Sequence, residues 1–137
     1  MAKSILFIID PIQGLKKDKD TSLLLMKTSM EIGHQVFFCT HSDISLKSNV
    51  PYGKIKEVND EFSEVVERQV NLNQLDVIFI RKDPPFNKDY LFLTISLSLL
   101  KKPKVINCPE SLQFHNEKLS ILNFPRLIPK TLVSSNL

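Results

Sequence analysis

Leu75-Asp76-Val77-Ile78-Phe79-Ile80, followed at once by Arg81-Lys82-Asp83-Pro84-Pro85-Phe86-Asn87, is the stretch on which the reading of the chain turns. Its first half is an unbroken apolar run of strand length after Asp76. That pattern predicts a strand covered on both faces, as in a parallel sheet flanked by helices. Its second half delivers three charges and then two prolines. Proline has no N–H to give to a ladder, and it pushes the residue before it out of the helical region. Arg81, Lys82 and Asp83 are therefore expected in a stiffened loop at the carboxyl end of a central strand, where open α/β sheets hold their ligands.

Working outward, Ser4 to Ile9 predicts a first strand, broken by Asp10-Pro11-Ile12-Gln13-Gly14. A lysine-rich loop leads to Asp20 or Thr21 as N-cap of a helix carrying Leu23, Leu24, Met26, Met30 and Ile32, which Gly33 closes. Gln35 to Thr40 is the next strand. Strand, helix and strand in about forty residues predict a right-handed parallel crossover unit.

From His41 to Asn59 a short hairpin is expected, with Pro51-Tyr52-Gly53 as a turn. Phe62, Val65, Val66 and Val70 have helical spacing on a charged background, which predicts a solvent-facing helix before the central strand. After the Pro-Pro loop, Lys88 to Leu100 predicts a helix, Lys104 to Asn107 a brief strand, and Pro109-Glu110-Ser111 the opening of another helix. Asn116 to Leu119 begins or continues helical structure, which Pro125 and Pro129 end, and Thr131-Leu132-Val133 resembles the first residues of a further strand.

Composition sets bounds. A chain of 137 residues, 42% hydrophobic, fits one globular α/β domain. Eighteen Lys and Arg against fifteen Asp and Glu give a net charge of +3, scattered along the chain, so nucleic acid is not the expected partner. The longest strongly apolar stretch, Tyr90 to Leu100, is eleven residues and carries Thr94, Ser96 and Ser98; it falls well short of the roughly 20 that span a bilayer. Ser4 to Ile9 lacks a cleavage site after it and does not make a signal peptide, so a cytoplasmic location is expected. Cys39 and Cys108 have no Cys or His at metal-ligand spacing and are expected to be inert thiols.

The three glycines, Gly14, Gly33 and Gly53, are too far apart for G-x-G-x-x-G or a Walker A loop. His34, His41 and His115 are not at metal spacing and are assigned surface or turn roles. Asp10, at the end of the first strand, and Asp83, at the end of the central one, emerge on one edge of a parallel sheet. With Arg81 and Lys82 they could grip a zwitterionic, amino-acid-like ligand, the guanidinium taking a carboxylate and a carboxylate taking an ammonium. Asp-Pro also starts turns, and the same charges could simply pair with one another. Both readings stay open on spacing alone. Lys118 by itself reads as a solvated helix lysine.

Asp10-Pro11-Ile12, Lys19-Asp20-Thr21-Ser22, Arg81-Lys82-Asp83-Pro84-Pro85-Phe86, Asn107 with Pro109, Asn116-Glu117-Lys118-Leu119, and Pro129 with Thr131-Leu132-Val133 together resemble the amino-terminal part of bacterial glutathione synthetase, in that family's order and close to its spacing. The resemblance covers the whole chain, and R-K-D-P-P-F with N-E-K-L is its specific part. It implies a Rossmann-like pre-ATP-grasp domain over 1–118, with a mostly parallel sheet flanked by helices. Residues 119–137 would be the connection to, and start of, an ATP-grasp domain. The family is an ATP-grasp ligase that joins γ-glutamylcysteine to glycine, using ATP and Mg2+ through an acyl phosphate.

The resemblance further implies that Lys118 reaches the nucleotide phosphates and that Asp10, Arg81, Lys82 and Asp83 face the substrate cleft. It implies homo-oligomers, dimers or tetramers, as the assembly. Gln113 stands where the family usually has an arginine. The glycine-rich lid, the second ATP lysine and the magnesium ligands are expected beyond Leu137, so the 137 residues are expected to hold no catalytic residue and to be inactive alone, unless a separate chain supplies the other half. Acyl-phosphate chemistry needs metal and cationic groups around the transferred phosphoryl. The alternative is a free-standing, non-catalytic binding or regulatory module derived from the same domain.

Overall fold

The computed structural model describes residues 1–16, 18–59, 64–115 and 118–136. Among them are β1 (Ser4–Ile9), α1 (Thr21–Glu31), β2 (Gln35–Cys39), β3 (Ile44–Lys47), β4 (Val50–Val58), β5 (Glu64–Asn71), β6 (Val77–Arg81), α2 (Lys88–Ser98), β7 (Lys104–Ile106) and α3 (Pro109–Phe114). The strands form one mixed sheet in which β2, β1, β6 and β7 lie parallel in that order. β4 continues the sheet antiparallel to β2 through Glu57 and Lys56, and pairs antiparallel with both β3 and β5. The expected mostly parallel sheet flanked by helices is thus a parallel half joined to an antiparallel half.

The apolar runs of β1 and β6 follow from burial on both faces. Successive side chains of a strand point to opposite faces. Leu6 and Ile8 of β1 join Ile78 and Ile80 of β6 in one core, which Leu93 and Leu97 of α2 cover. Ile5, Phe7 and Ile9 join the other core, which Leu23 and Met26 of α1 cover. Neither face is left to water, so neither strand alternates.

The helices start and stop where the sequence signals them. The Asp20 carboxylate accepts from the Ser22 and Leu23 N–H groups at 2.7 and 3.2 Å, and Gly33 follows α1 with φ +86°, a conformation that other residues adopt at a cost. Asn87 caps α2 by accepting from the Tyr90 N–H at 3.0 Å.

Three expectations are corrected. The segment read as a helix over Phe62 to Val70 is β5, antiparallel to β4. Its β-branched valines favour a pleated surface, Val70 packs against the core, and Arg68 lies over the Phe37 ring at 4.9 Å. Phe62 lies outside the described residues. The hairpin is present, but its turn is Ser48-Asn49, with φ of 49° and 62°, and Pro51-Tyr52-Gly53 belongs to β4. Two positive φ angles make the two-residue turn whose twist matches the flanking strands. Gly53 fits there because a Cβ would come within 3.0 Å of Leu72 Cδ2. Thr131 to Val133 is in no strand of the sheet.

Candidate functional site

β1 and β6 are parallel neighbours with Ile9 opposite Arg81, so both chains leave the sheet at the same edge. The next residues are Asp10 and Lys82. Lys82 Nζ donates to Asp10 Oδ1 at 3.2 Å and to the Asp83 carbonyl at 3.1 Å, while the Asp83 N–H donates to Asp10 Oδ2 at 2.9 Å. Asp10, Lys82 and Asp83 are therefore brought together, with Asp83 contributing its backbone.

Arg81 goes elsewhere. The alternation of the strand turns it towards α1, where its Nε donates to Ser22 Oγ at 3.2 Å, the residue Ser22 being 5% exposed. Ser22 lies in the Lys19-Asp20-Thr21-Ser22 stretch that carries the resemblance, but sequence reasoning gave it no role as a partner of Arg81.

Beyond Asp83 the chain runs through the cis-linked Pro84–Pro85 to Phe86 and into α2. Pro84, Pro85 and Phe86 line a pocket of about 310 Å³ together with Tyr90, Leu112, His115 and Lys118. Phe86 and Tyr90 meet with ring centroids 5.4 Å apart, tilted by 47°. Lys118, which is distant in sequence, thus reaches the same cavity as the Pro-Pro loop. Asn116 and Glu117 of the same motif lie outside the described residues. His115, assigned a surface or turn role, also lines this cavity. Tyr90 and Leu112 were not singled out, although the four-residue spacing of Phe86 and Tyr90 would place two rings side by side across a helix start.

Chemically, the cavity offers a largely apolar wall with an ammonium and an imidazole. Such a lining suits a ligand with a flat apolar part and an anionic group. The donor set does not suit a divalent metal: among the described residues no three His, Cys, Asp or Glu side chains come together to hold one, and both oxygens of Asp10 are already engaged.

Gln113, two residues before the pocket-lining His115, has its side-chain Nε2 buried with no hydrogen-bond partner among the described residues. The two cysteines are free thiols that do not line this cavity: Cys39 is buried and Cys108 exposed. Among the described residues no helix is long and apolar enough to cross a membrane.

A doubly covered α/β sheet with a charged loop and a lysine-bearing pocket at the carboxyl edge of its parallel strands defines a ligand-binding domain of the α/β class. The family follows from comparison with known proteins. Residues 4–113 match the family described as prokaryotic glutathione synthetase, N-terminal domain, and the chain belongs to that family. It is similar to proteins named glutathione synthetase from Synechococcus elongatus, 33% identical over 95% of this chain and 46% of that protein, and from Buchnera aphidicola, 34% identical over 94% and 43%. The glutathione synthetase of Coxiella burnetii is 37% identical over 93% of this chain and 42% of that protein. The chain therefore spans less than half the length of the curated relatives it matches.

Proposed function

We propose that these residues are the substrate-side domain of a glutathione synthetase, a cytoplasmic ATP-dependent ligase that joins γ-glutamylcysteine to glycine. The family match over 4–113, with curated relatives named for that activity, is the observation that carries the reading. In it, residues 1–118 form the pre-ATP-grasp domain and 119–137 the passage to the ATP-grasp region. Lys118, in the lining of the pocket, contacts a phosphate of ATP, and Arg81 at the end of β6, the Lys82-Asp83 loop that follows it and Asp10 beside that loop form the substrate side of the cleft.

ATP and Mg2+ are the cofactors of the whole ligase. The metal's ligands come from outside the described residues, which hold no suitable group of donors, and the 137 residues alone do not carry out the ligation. Homo-oligomers are the assembly this reading implies.

Backbone amide NMR of the 137-residue chain tests the reading. Titration with ATP and Mg2+ should move the amides of Phe86, Tyr90, His115 and Lys118 first, and γ-glutamylcysteine those of Arg81 to Asp83. Perturbations confined to the cavity lined by Asp18 to Thr21, Leu23, Leu24 and Lys27, which shares no residue with the Pro-Pro pocket, would sink it.

A second reading is a free-standing binding or regulatory module derived from the same domain, for which the apolar pocket with its lysine would serve as the ligand site. It predicts the same γ-glutamylcysteine shifts without any dependence on a further domain.

A further inference from the structure

The ring formed by Asp10, Lys82 and the Asp83 backbone is closed on itself. Both carboxylate oxygens of Asp10 are used, one by the Lys82 ammonium and one by the Asp83 N–H, and the ammonium also donates to the Asp83 carbonyl. The Lys82 side chain is 8% exposed and that of Asp10 30%. A cation this buried and this well paired would leave an uncompensated carboxylate behind if it swung out to a ligand.

What the ring holds is informative. Prolines 84 and 85 have no N–H, so the Asp83 N–H is the last backbone donor before the loop reaches Phe86. That donor is the one Asp10 takes. Immediately beyond it, Pro84, Pro85 and Phe86 form one wall of the pocket.

We propose that Asp10 and Lys82 are positioning residues for this pocket: their ion pair fixes the Asp83 backbone and so sets the Pro84–Phe86 wall against Tyr90, without either side chain touching the nucleotide. The geometric part stands alone, while its consequence for binding rests on the pocket being the nucleotide site.

Two tyrosines make the test direct. Tyr90 contacts Phe86, whereas Tyr52 sits in β4. With 3-fluorotyrosine incorporated, 19F NMR gives one resonance for each, assigned by Tyr→Phe variants. Lys82→Met and Asp10→Ala should each move the Tyr90 resonance and leave Tyr52 in place. Lys82→Arg and Asp10→Asn, which keep a cation and an acceptor respectively, should return Tyr90 towards its parent position.

Should Lys82→Met fail to fold, the two conservative variants still decide: each must leave Tyr90 nearer its parent position than Asp10→Ala does. A Tyr90 resonance unmoved in folded Lys82→Met or Asp10→Ala overturns the proposal, as does an equal movement of both tyrosines. In a parallel titration with ATP and Mg2+, Lys82→Met should weaken binding about tenfold through the displaced wall. If the parent itself binds no ATP, the nucleotide reading fails while the 19F comparison still judges the ring.

Discussion

Asp76 and Ser4 are bonded reciprocally: Asp76 Oδ2 accepts the Ser4 N–H and the Ser4 hydroxyl, each at 2.9 Å, and Ser4 Oγ accepts the Asp76 N–H at 3.0 Å. This ties the entrance of β6 to the entrance of β1. The ring of Asp10, Lys82 and Asp83 ties their exits, so the two central strands are clasped at both ends.

The first clasp is pH-dependent. The Ser4 N–H and hydroxyl, helped by Lys3, hold the Asp76 carboxyl at about 2, below its ordinary 3.8. The folded form thus binds the proton less readily than the unfolded chain, and the clasp's contribution, complete above the ordinary value, is lost as pH falls towards about 2. Asp76→Asn should lower the melting temperature at neutral pH, and the gap from the parent should close as acid melts approach that value. A gap independent of pH would contradict this.

Phe7 is fully buried, and its ring stacks on Phe79 at 4.9 Å and 6° across the β1–β6 pair. Phe7→Ala should cost about 3–5 kcal/mol in urea unfolding, the usual range for a buried aromatic. Phe114→Ala, at a residue 81% exposed, should stay within about 0.5 kcal/mol.

The two thiols should behave differently. Burial, with the Asp43 carboxylate adding to it, pushes the Cys39 thiol far above its usual range, whereas Cys108 is exposed and its Sγ–H donates to Glu110 Oε2 at 3.2 Å. A thiolate-selective reagent should therefore label one site per native chain, Cys108, and reach Cys39 only on unfolding. Labelling of Cys39 in the native state, read by peptide mapping, would count against the packing of β2.

Residues 119–133 carry a bare apolar surface, with Phe124 59%, Leu127 82% and Leu132 90% exposed. Such a surface seeks a partner. Sedimentation of the 137-residue chain should show concentration-dependent association, reduced in a Leu127→Ser/Leu132→Ser double variant. A well-behaved monomer at high concentration would favour the free-standing module.

The parallel half of the fold was legible because its signals agree. The apolar runs of β1 and β6, the Asp20 cap and the glycine after α1 each point to the same crossover pattern. The antiparallel half was harder. Val65, Val66 and Val70 happen to fall at helical spacing, and only their β-branching hinted at β5. The turn at Ser48-Asn49 lacks glycine, so Gly53 attracted the assignment instead.

At the candidate site, the shared edge of Asp10 and Asp83 followed from topology. The division of labour did not. Whether Lys82 faces a ligand or Asp10, and whether Arg81 turns to the cleft or to Ser22, depends on strand alternation at the end of β6 and on burial. His115 and Lys118 share a cavity with the Pro-Pro loop by a tertiary contact that no local spacing encodes.

The central claim is that this chain serves as the substrate-side domain of a glutathione synthetase, and exchange tests it most directly. Residues 1–118 would replace the corresponding segment of the Coxiella burnetii relative, and glutathione formation from γ-glutamylcysteine, glycine, ATP and Mg2+ would be measured. The account predicts an active chimera, with Lys118→Ala lowering turnover at least about a hundredfold, as removal of a phosphoryl-stabilising cation should. A chimera that folds and melts cooperatively but forms no glutathione would contradict it.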